Sequence, residues 1–246
     1  MILEVFGPSG AGKTTLTSEL VPVLRCHGYP VVLQIGDRRH PIRRAALKLA
    51  SGLHSKWVGQ DPLTAEIFKL LPPKSDLWAT RLNWHFELLI KVWNAALTST
   101  ETISIFDQGM VQFVCSLVMF SGVTDQEKIA RALDLVPKPN LLVRLQAPKE
   151  ILESRLRERR RHLGIVQKLL EVDLQTSLDN VEHVNLVGEL VESLGLPTIS
   201  TESSDANGRI AALEMIVKDT IEKMQRSFTE RAGVDFKYGE LQATMK

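Results

Sequence analysis

Cysteine is nearly absent from this chain: its 246 residues hold two, Cys26 and Cys115, with no CxxC pair and no Cys/His cluster at metal-ligand spacing. A disulfide framework and a zinc site are thereby excluded as organising devices, and reduced thiols in a cytoplasmic protein are the expectation. Net charge is scarce as well. Lys and Arg number 30 against 29 Asp and Glu, a balance of +1, so bulk charge names no polyelectrolyte partner, although arginines gather in two short stretches. No apolar run approaches the roughly 20 residues of a membrane-spanning helix. The first apolar run begins almost at residue 1, which leaves no room for a charged leader ahead of it, so no membrane is expected among the partners. Internal repeats, low-complexity blocks and domain-splitting linkers are missing too. With 44% hydrophobic residues the chain can bury a sizeable core, and one domain over residues 1–226 followed by an extension over 227–246 is the expected organisation.

What is present starts with Gly7-Pro8-Ser9-Gly10-Ala11-Gly12-Lys13-Thr14, directly after the apolar run Ile2-Leu3-Glu4-Val5-Phe6. Strand, glycine-rich loop and helix in that order form a Walker A cradle. The glycines let backbone N–H groups converge on phosphate oxygens, Lys13 reaches the β- and γ-phosphates, and the hydroxyl of Thr14, followed by Thr15, suits Mg²⁺. Leu16, Leu20, Val23 and Leu24 supply the helical period that follows, and the helix turns its positive end to the same anion.

Further strands are expected at Val31–Ile35, Ile103–Phe106, Leu141–Leu145 and Pro197–Thr201, separated throughout by helical patterns. This alternation predicts an α/β fold: a three-layer, five-stranded parallel sheet with helices on both faces. Helices are expected to begin at Pro62 and to run over about 76–98, to about Phe120, over 125–135, from Pro148 to a break near Gly164, and on to about Leu194 with an interruption near Asn185. Ser204 or Asp205 caps a last amphipathic helix. Beyond Ser227 no clear periodicity is visible.

Asp107 ends the third strand, at the rim where ligands collect in an open α/β sheet. A carboxylate there is costly unless it meets a cation or a hydrogen bond; its structural alternative is a helix cap. Asp37, after the second strand, competes as the group that orients an acceptor, or is a turn aspartate paired with Arg38 or Arg39. The cluster Arg38, Arg39, His40, Arg43 and Arg44 suits an anionic acceptor or is a surface loop. Arg155 and Arg159 stand at i and i+4 on one helix face and could close over phosphates, against the alternative of a solvated charged face in which Glu153 pairs with Arg157. Arg160, Arg161 and His162 crowd beyond what those glutamates explain. Arg81 and His85 lie one turn apart and could line an acceptor pocket, while Trp78, Trp84 and Trp93 read as core.

With these residues in place the chain resembles the nucleoside monophosphate kinase group of P-loop proteins, thymidylate kinase most of all, over about residues 1–225. Gly7 to Thr15, Phe106-Asp107, and the run Leu141 to Arg161 carry the resemblance. It implies ATP and Mg²⁺, phosphoryl transfer to a nucleotide or nucleoside, and an arginine-rich lid over about 155–166. Under it the candidate catalytic residues are Lys13 on the transferred phosphate, Asp107 on the metal shell or acceptor, and Arg155 and Arg159 in the lid, with Thr14 and Asp107 serving the metal. Ser203, Asp205 and Ala206 match the position of an adenine-contacting loop. Thymidylate kinases follow the strand-end Asp with Arg; here Gln108 stands instead and offers no cationic fork to an acceptor phosphate. Gly36-Asp37 with the arginines after it resembles the acceptor loop of adenylyl-sulfate kinases. A hydroxyl on a modified base or DNA end, another small molecule, and an ATPase switch without acceptor stay open as alternatives, as does a homodimer.

Overall fold

The computed structural model describes residues 1–34, 62–99, 101–162 and 173–244. The acceptor-loop candidates Asp37, Arg38, Arg39, His40, Arg43 and Arg44, and the lid beyond His162, lie outside those residues. Within them, β1 (Ile2–Phe6), α1 (Lys13–Cys26) and β2 (Val31–Gln34) are followed by α2 (Pro62–Leu70), α3 (Asp76–Thr98), β3 (Ile103–Phe106), α4 (Met110–Ser121), α5 (Gln126–Leu135) and β4 (Leu141–Gln146). The chain then forms α6 (Lys149–Arg161), α7 (Leu174–Asp179), α8 (Val181–Ser193), β5 (Thr198–Glu202) and α9 (Ala206–Thr244).

The strands make one parallel sheet in the order β2-β3-β1-β4-β5. β1 lies in the middle, with Leu3 opposite Ile105 on one side and Leu141 on the other. Every residue of β1 and β3 is buried, as a parallel sheet covered on both faces requires. Alternation divides their side chains between two cores. Leu3, Val5, Ile105 and Val143 pack with Leu16, Leu20 and Leu24 of α1 and Ile216 of α9. Ile2, Phe6 and Phe106 pack with Phe86 and Trp93 of α3, Phe113 of α4 and Val187 of α8. Phe86 stacks on Phe113 at 4.6 Å, and Trp93, fully buried, meets Phe106 at 4.8 Å.

Two boundaries and one side-chain cluster differ from expectation. The break before α8 falls at Asn180, whose side chain bonds back to Thr176 O and meets His183 Nδ1 at 3.0 Å; Asn185 lies inside the helix. Residues 227–244 continue α9 without interruption, because Glu, Arg, Lys, Gln, Leu and Ala hold a helix by propensity where no amphipathic period marks it. Arg161 and His162 are both engaged by Glu158, at 3.1 and 2.9 Å, which accounts for much of the crowding at that end of α6.

Candidate active site

The phosphate loop grows out of β1 because the sheet allows only glycine at its first position. Gly7 has φ +150, and a Cβ there would stand 2.1 Å from the Leu145 carbonyl oxygen of the neighbouring strand, so any side chain would force the strands apart. Pro8 is buried beside it and Ala11 is wholly buried, while Ser9 and Thr15 face outward. Gly10 and Gly12 both adopt positive φ. The loop closes on itself through Ala11 N–H donating to Pro8 O at 3.2 Å.

Lys13, the first residue of α1, folds back over the loop. Its Nζ donates to Gly7 O at 2.6 Å and to Pro8 O at 3.0 Å. Burial pulls this ammonium down to about 8; the nearby Asp107 carboxylate opposes the shift and the charge of Arg159 adds to it. A lysine held against two carbonyls in a half-buried setting is a cation short of solvation, ready to exchange those carbonyls for phosphate oxygens.

Asp107 ends β3 on the adjacent strand and is 6% exposed. Thr14 Oγ1 donates to its Oδ2 at 3.2 Å. Parallel pairing of β1 with β3 brings the two strand ends to one rim, so the loop hydroxyl and the carboxylate meet although 93 positions separate them. A hydroxyl and a carboxylate are the hard oxygens Mg²⁺ takes when phosphates and water complete its shell, so the pair fits that ion. Among the described residues no group of three or more His, Cys, Asp or Glu could hold a metal.

Arg155 on α6 reaches the far side of the loop. Its Nη2 donates to Ser203 O at 2.7 Å and Ser204 O at 3.3 Å, and its Nη1 to Gly10 O and Ala11 O, both at 3.4 Å. One guanidinium thus joins the phosphate loop to the turn after β5, where Asp205 Oδ1 accepts the Gly208 N–H at 2.7 Å. Arg159, one turn on, is exposed, and its charge is felt by Lys13. Glu153 and Arg157 pair at 2.6 Å on the outer face. Arg81 sits over the Trp78 ring at 5.0 Å, and Trp78 stacks on Phe120 at 3.9 Å. Among the described residues no hydrogen bond joins Arg81 to the phosphate loop.

Beside Pro8 and Ser9 lies a small cavity of about 60 Å³, walled by Gln112, Ser116 and Met119 of α4 and by Ser177 and Asn180. Among the described residues its polar groups are hydroxyls and amides, with no charged side chain. Gln108, exposed on the rim, adds none.

Sequence reading passed over two residues of this region. Glu4, inside β1, accepts the Gln112 N–H, and Gln112 Oε1 accepts the Gly7 N–H. The available signal was a carboxylate in the middle of a run otherwise apolar, which is expensive unless something answers it.

No family profile and no curated protein matches the chain. Solved structures do resemble it in fold. Deoxyadenosine kinase from M. mycoides with bound dATP is 17% identical at a TM-score of 0.52, over 89% of this chain and 98% of that one. The same enzyme with the products dCMP and a flexible dCDP is 18% identical at 0.50, over 90% and 100%. With dCTP bound it is 16% identical at 0.50, again over 90% and 100%. The chain therefore shares the α/β fold of these deoxyadenosine kinase structures over about nine-tenths of its length.

Proposed function

We propose that the chain is an ATP- and Mg²⁺-dependent phosphotransferase that phosphorylates a hydroxyl group of a nucleoside. The observation that carries this reading is the 3.2 Å contact of Thr14 Oγ1 with Asp107 Oδ2 beside a complete phosphate loop. Phosphoryl transfer asks a protein for alignment and charge neutralisation rather than covalent chemistry. Backbone amides of Gly10 to Thr14 receive the phosphate tail, and Lys13 leaves its two carbonyls for the group being transferred. Thr14 and Asp107 hold the metal, which when bound supplies charge neutralisation on the phosphate oxygens. Arg155 steadies the loop against the turn at Ser203, the candidate adenine side, and Arg159 adds positive charge over the phosphates.

A nucleoside is favoured over a nucleotide because Gln108 stands at the strand end in place of a cation. Among the described residues the small cavity beside Ser9 is lined by hydroxyls and amides without a charged side chain, a lining that matches a neutral acceptor. The neighbours of like fold are deoxyadenosine kinases, which supports the same acceptor class. A monophosphate acceptor, as in thymidylate kinases, calls for a cation that Gln108 does not supply. Asp37, Arg38, Arg39 and Arg81 are the candidates for the remaining acceptor contacts.

Incubating the full chain with γ-labelled ATP and Mg²⁺ against deoxynucleosides, nucleoside monophosphates and oligonucleotides tests this directly. Label is expected in a deoxynucleoside monophosphate. Label in free phosphate alone would make the chain an ATPase, and label on an oligonucleotide end would make it a kinase of nucleic acid; either outcome overturns the reading.

A further inference from the structure

β1 buries a carboxyl in the middle of an apolar strand, where a leucine would leave no polar atom to satisfy. Glu4 lies between Ile2 and Phe6 on the face covered by α4 and is wholly buried. Its Oε1 accepts the Gln112 N–H at 2.9 Å, and its Oε2 has no hydrogen-bond partner among the described residues. Gln112 is the third residue of α4, one of the opening residues whose N–H finds no acceptor within a helix. The residue ahead of the helix, Gly109, has no side chain to cap it. Glu4 does so instead, from 108 positions away in sequence, and sets its carboxylate at the positive end of the helix. Glycine at 109 makes this possible, since a Cβ there would stand 2.4 Å from Glu4 Cδ.

The same Gln112 turns its side chain to the phosphate loop, where Oε1 accepts the Gly7 N–H at 3.1 Å. Two hydrogen bonds in series therefore run from the interior of the sheet to the first residue of the loop. Asp107, two residues before Gly109, is carried by the same helix start. We propose that Glu4 is a positioning residue for the phosphate loop: it fixes the start of α4 from the strand beneath, and Gln112 passes that constraint to Gly7. Holding the first amide outward, onto Gln112, fixes the edge from which the later amides converge inward. The functional meaning of this rests on the loop receiving phosphate, as proposed above.

The test reads Gly7 amide exchange by NMR in the full chain without nucleotide, so it does not depend on the activity. Gln112→Ala and Glu4→Leu are each expected to speed that exchange about tenfold, the loss of roughly one hydrogen bond. Glu4→Gln, whose amide oxygen still accepts from Gln112, restores most of the protection. The Glu4→Leu/Gln112→Ala pair exchanges no faster than Gln112→Ala alone, because both act on one chain of contacts. ADP affinity falls about fivefold in Gln112→Ala, the part of that bond's worth felt by a loop that still has its other amides. Should Glu4→Leu fail to fold, Glu4→Met, of similar length and with no acceptor for the Gln112 N–H, takes its place with the same expected effect on Gly7 exchange. Unchanged Gly7 exchange, additive effects in the double variant, or unchanged ADP affinity in a chain that binds ADP would each overturn the proposal. A wild-type chain that does not bind ADP overturns the kinase reading instead, and the exchange result then decides the positioning role by itself.

Discussion

The two faces of the central sheet are built differently. Toward α1 and α9 the strands of the middle of the sheet present Leu3, Val5, Ile103, Ile105, Leu141, Val143 and Leu145, all aliphatic. Toward α4 and α8 the alternate positions include Glu4, Ser104 and Arg144, all buried. Glu4 bonds to the start of α4. Arg144 donates to Glu192 Oε1 at 3.1 Å and to Asn185 O at 3.3 Å on α8. One face supports by close apolar packing. The other ties two helices to the sheet by directional bonds, and those helices wall the cavity beside the loop. Polar groups in a core cost more than apolar ones, so the directional bonds made by Glu4 and Arg144 mark where the register of the sheet against α4 and α8 is fixed.

The largest effect is expected at the rim that both faces serve. Lys13→Ala should lower transfer by about 10³-fold or more, through lost charge on the transferring group, while the melting temperature stays level or rises because a half-buried ammonium has been removed. A large fall in melting temperature would make Lys13 a structural residue. On the aliphatic face, Leu3→Ala should cost about 3 kcal/mol of stability, read by denaturant unfolding, with the rate per folded molecule unchanged; an altered KM for ATP would erase the distinction between the faces. On the polar face the sign reverses. Burial raises the Glu4 carboxyl from 4.5 to about 7, so between those values the folded chain binds more protons than the unfolded one and stability falls as pH rises. At about 1.4 kcal/mol per pKa unit the loss by pH 8 is on the order of 3 kcal/mol. Glu4→Gln should abolish that slope and stabilise the chain at pH 8, measured as unfolding free energy at pH 5 and pH 8; an equal slope in the variant would assign it to another group. The smallest effect belongs to the outer face of α6: Glu153→Ala, which breaks an exposed pair with Arg157, should change stability by under about 0.5 kcal/mol.

Much of this was legible in the chain. The glycine pattern with Lys13 and Thr14 is local, the strands are short apolar runs bounded by turns, and Asp107 follows such a run, so each could be read without knowing its neighbours. What stayed hidden depends on strand order. Glu4 reads as one polar residue in an apolar run until β1 is seen beside β3, which brings Gly109 and Gln112 over its carboxyl. Arg144 likewise reads as a break in a strand until α8 lies across it. Arg155 was expected to reach for phosphate, and sequence spacing alone carries no sign that backbone carbonyls of the loop and of the Ser203 turn lie within its reach. Residues 227–244 carry no amphipathic period, and the helix there runs on residues of good intrinsic propensity.

Mg²⁺ dependence in Asp107→Asn addresses the central claim most directly, that the Thr14 hydroxyl and the Asp107 carboxylate form one metal-binding pair at the mouth of the phosphate loop. The expected result is a fall in transfer rate of about 100-fold or more, with ADP affinity no longer responding to Mg²⁺ and the melting temperature near that of the wild type. A variant that transfers at the wild-type rate with the wild-type Mg²⁺ response would contradict it and leave Asp107 as a strand-end carboxylate with a structural role only.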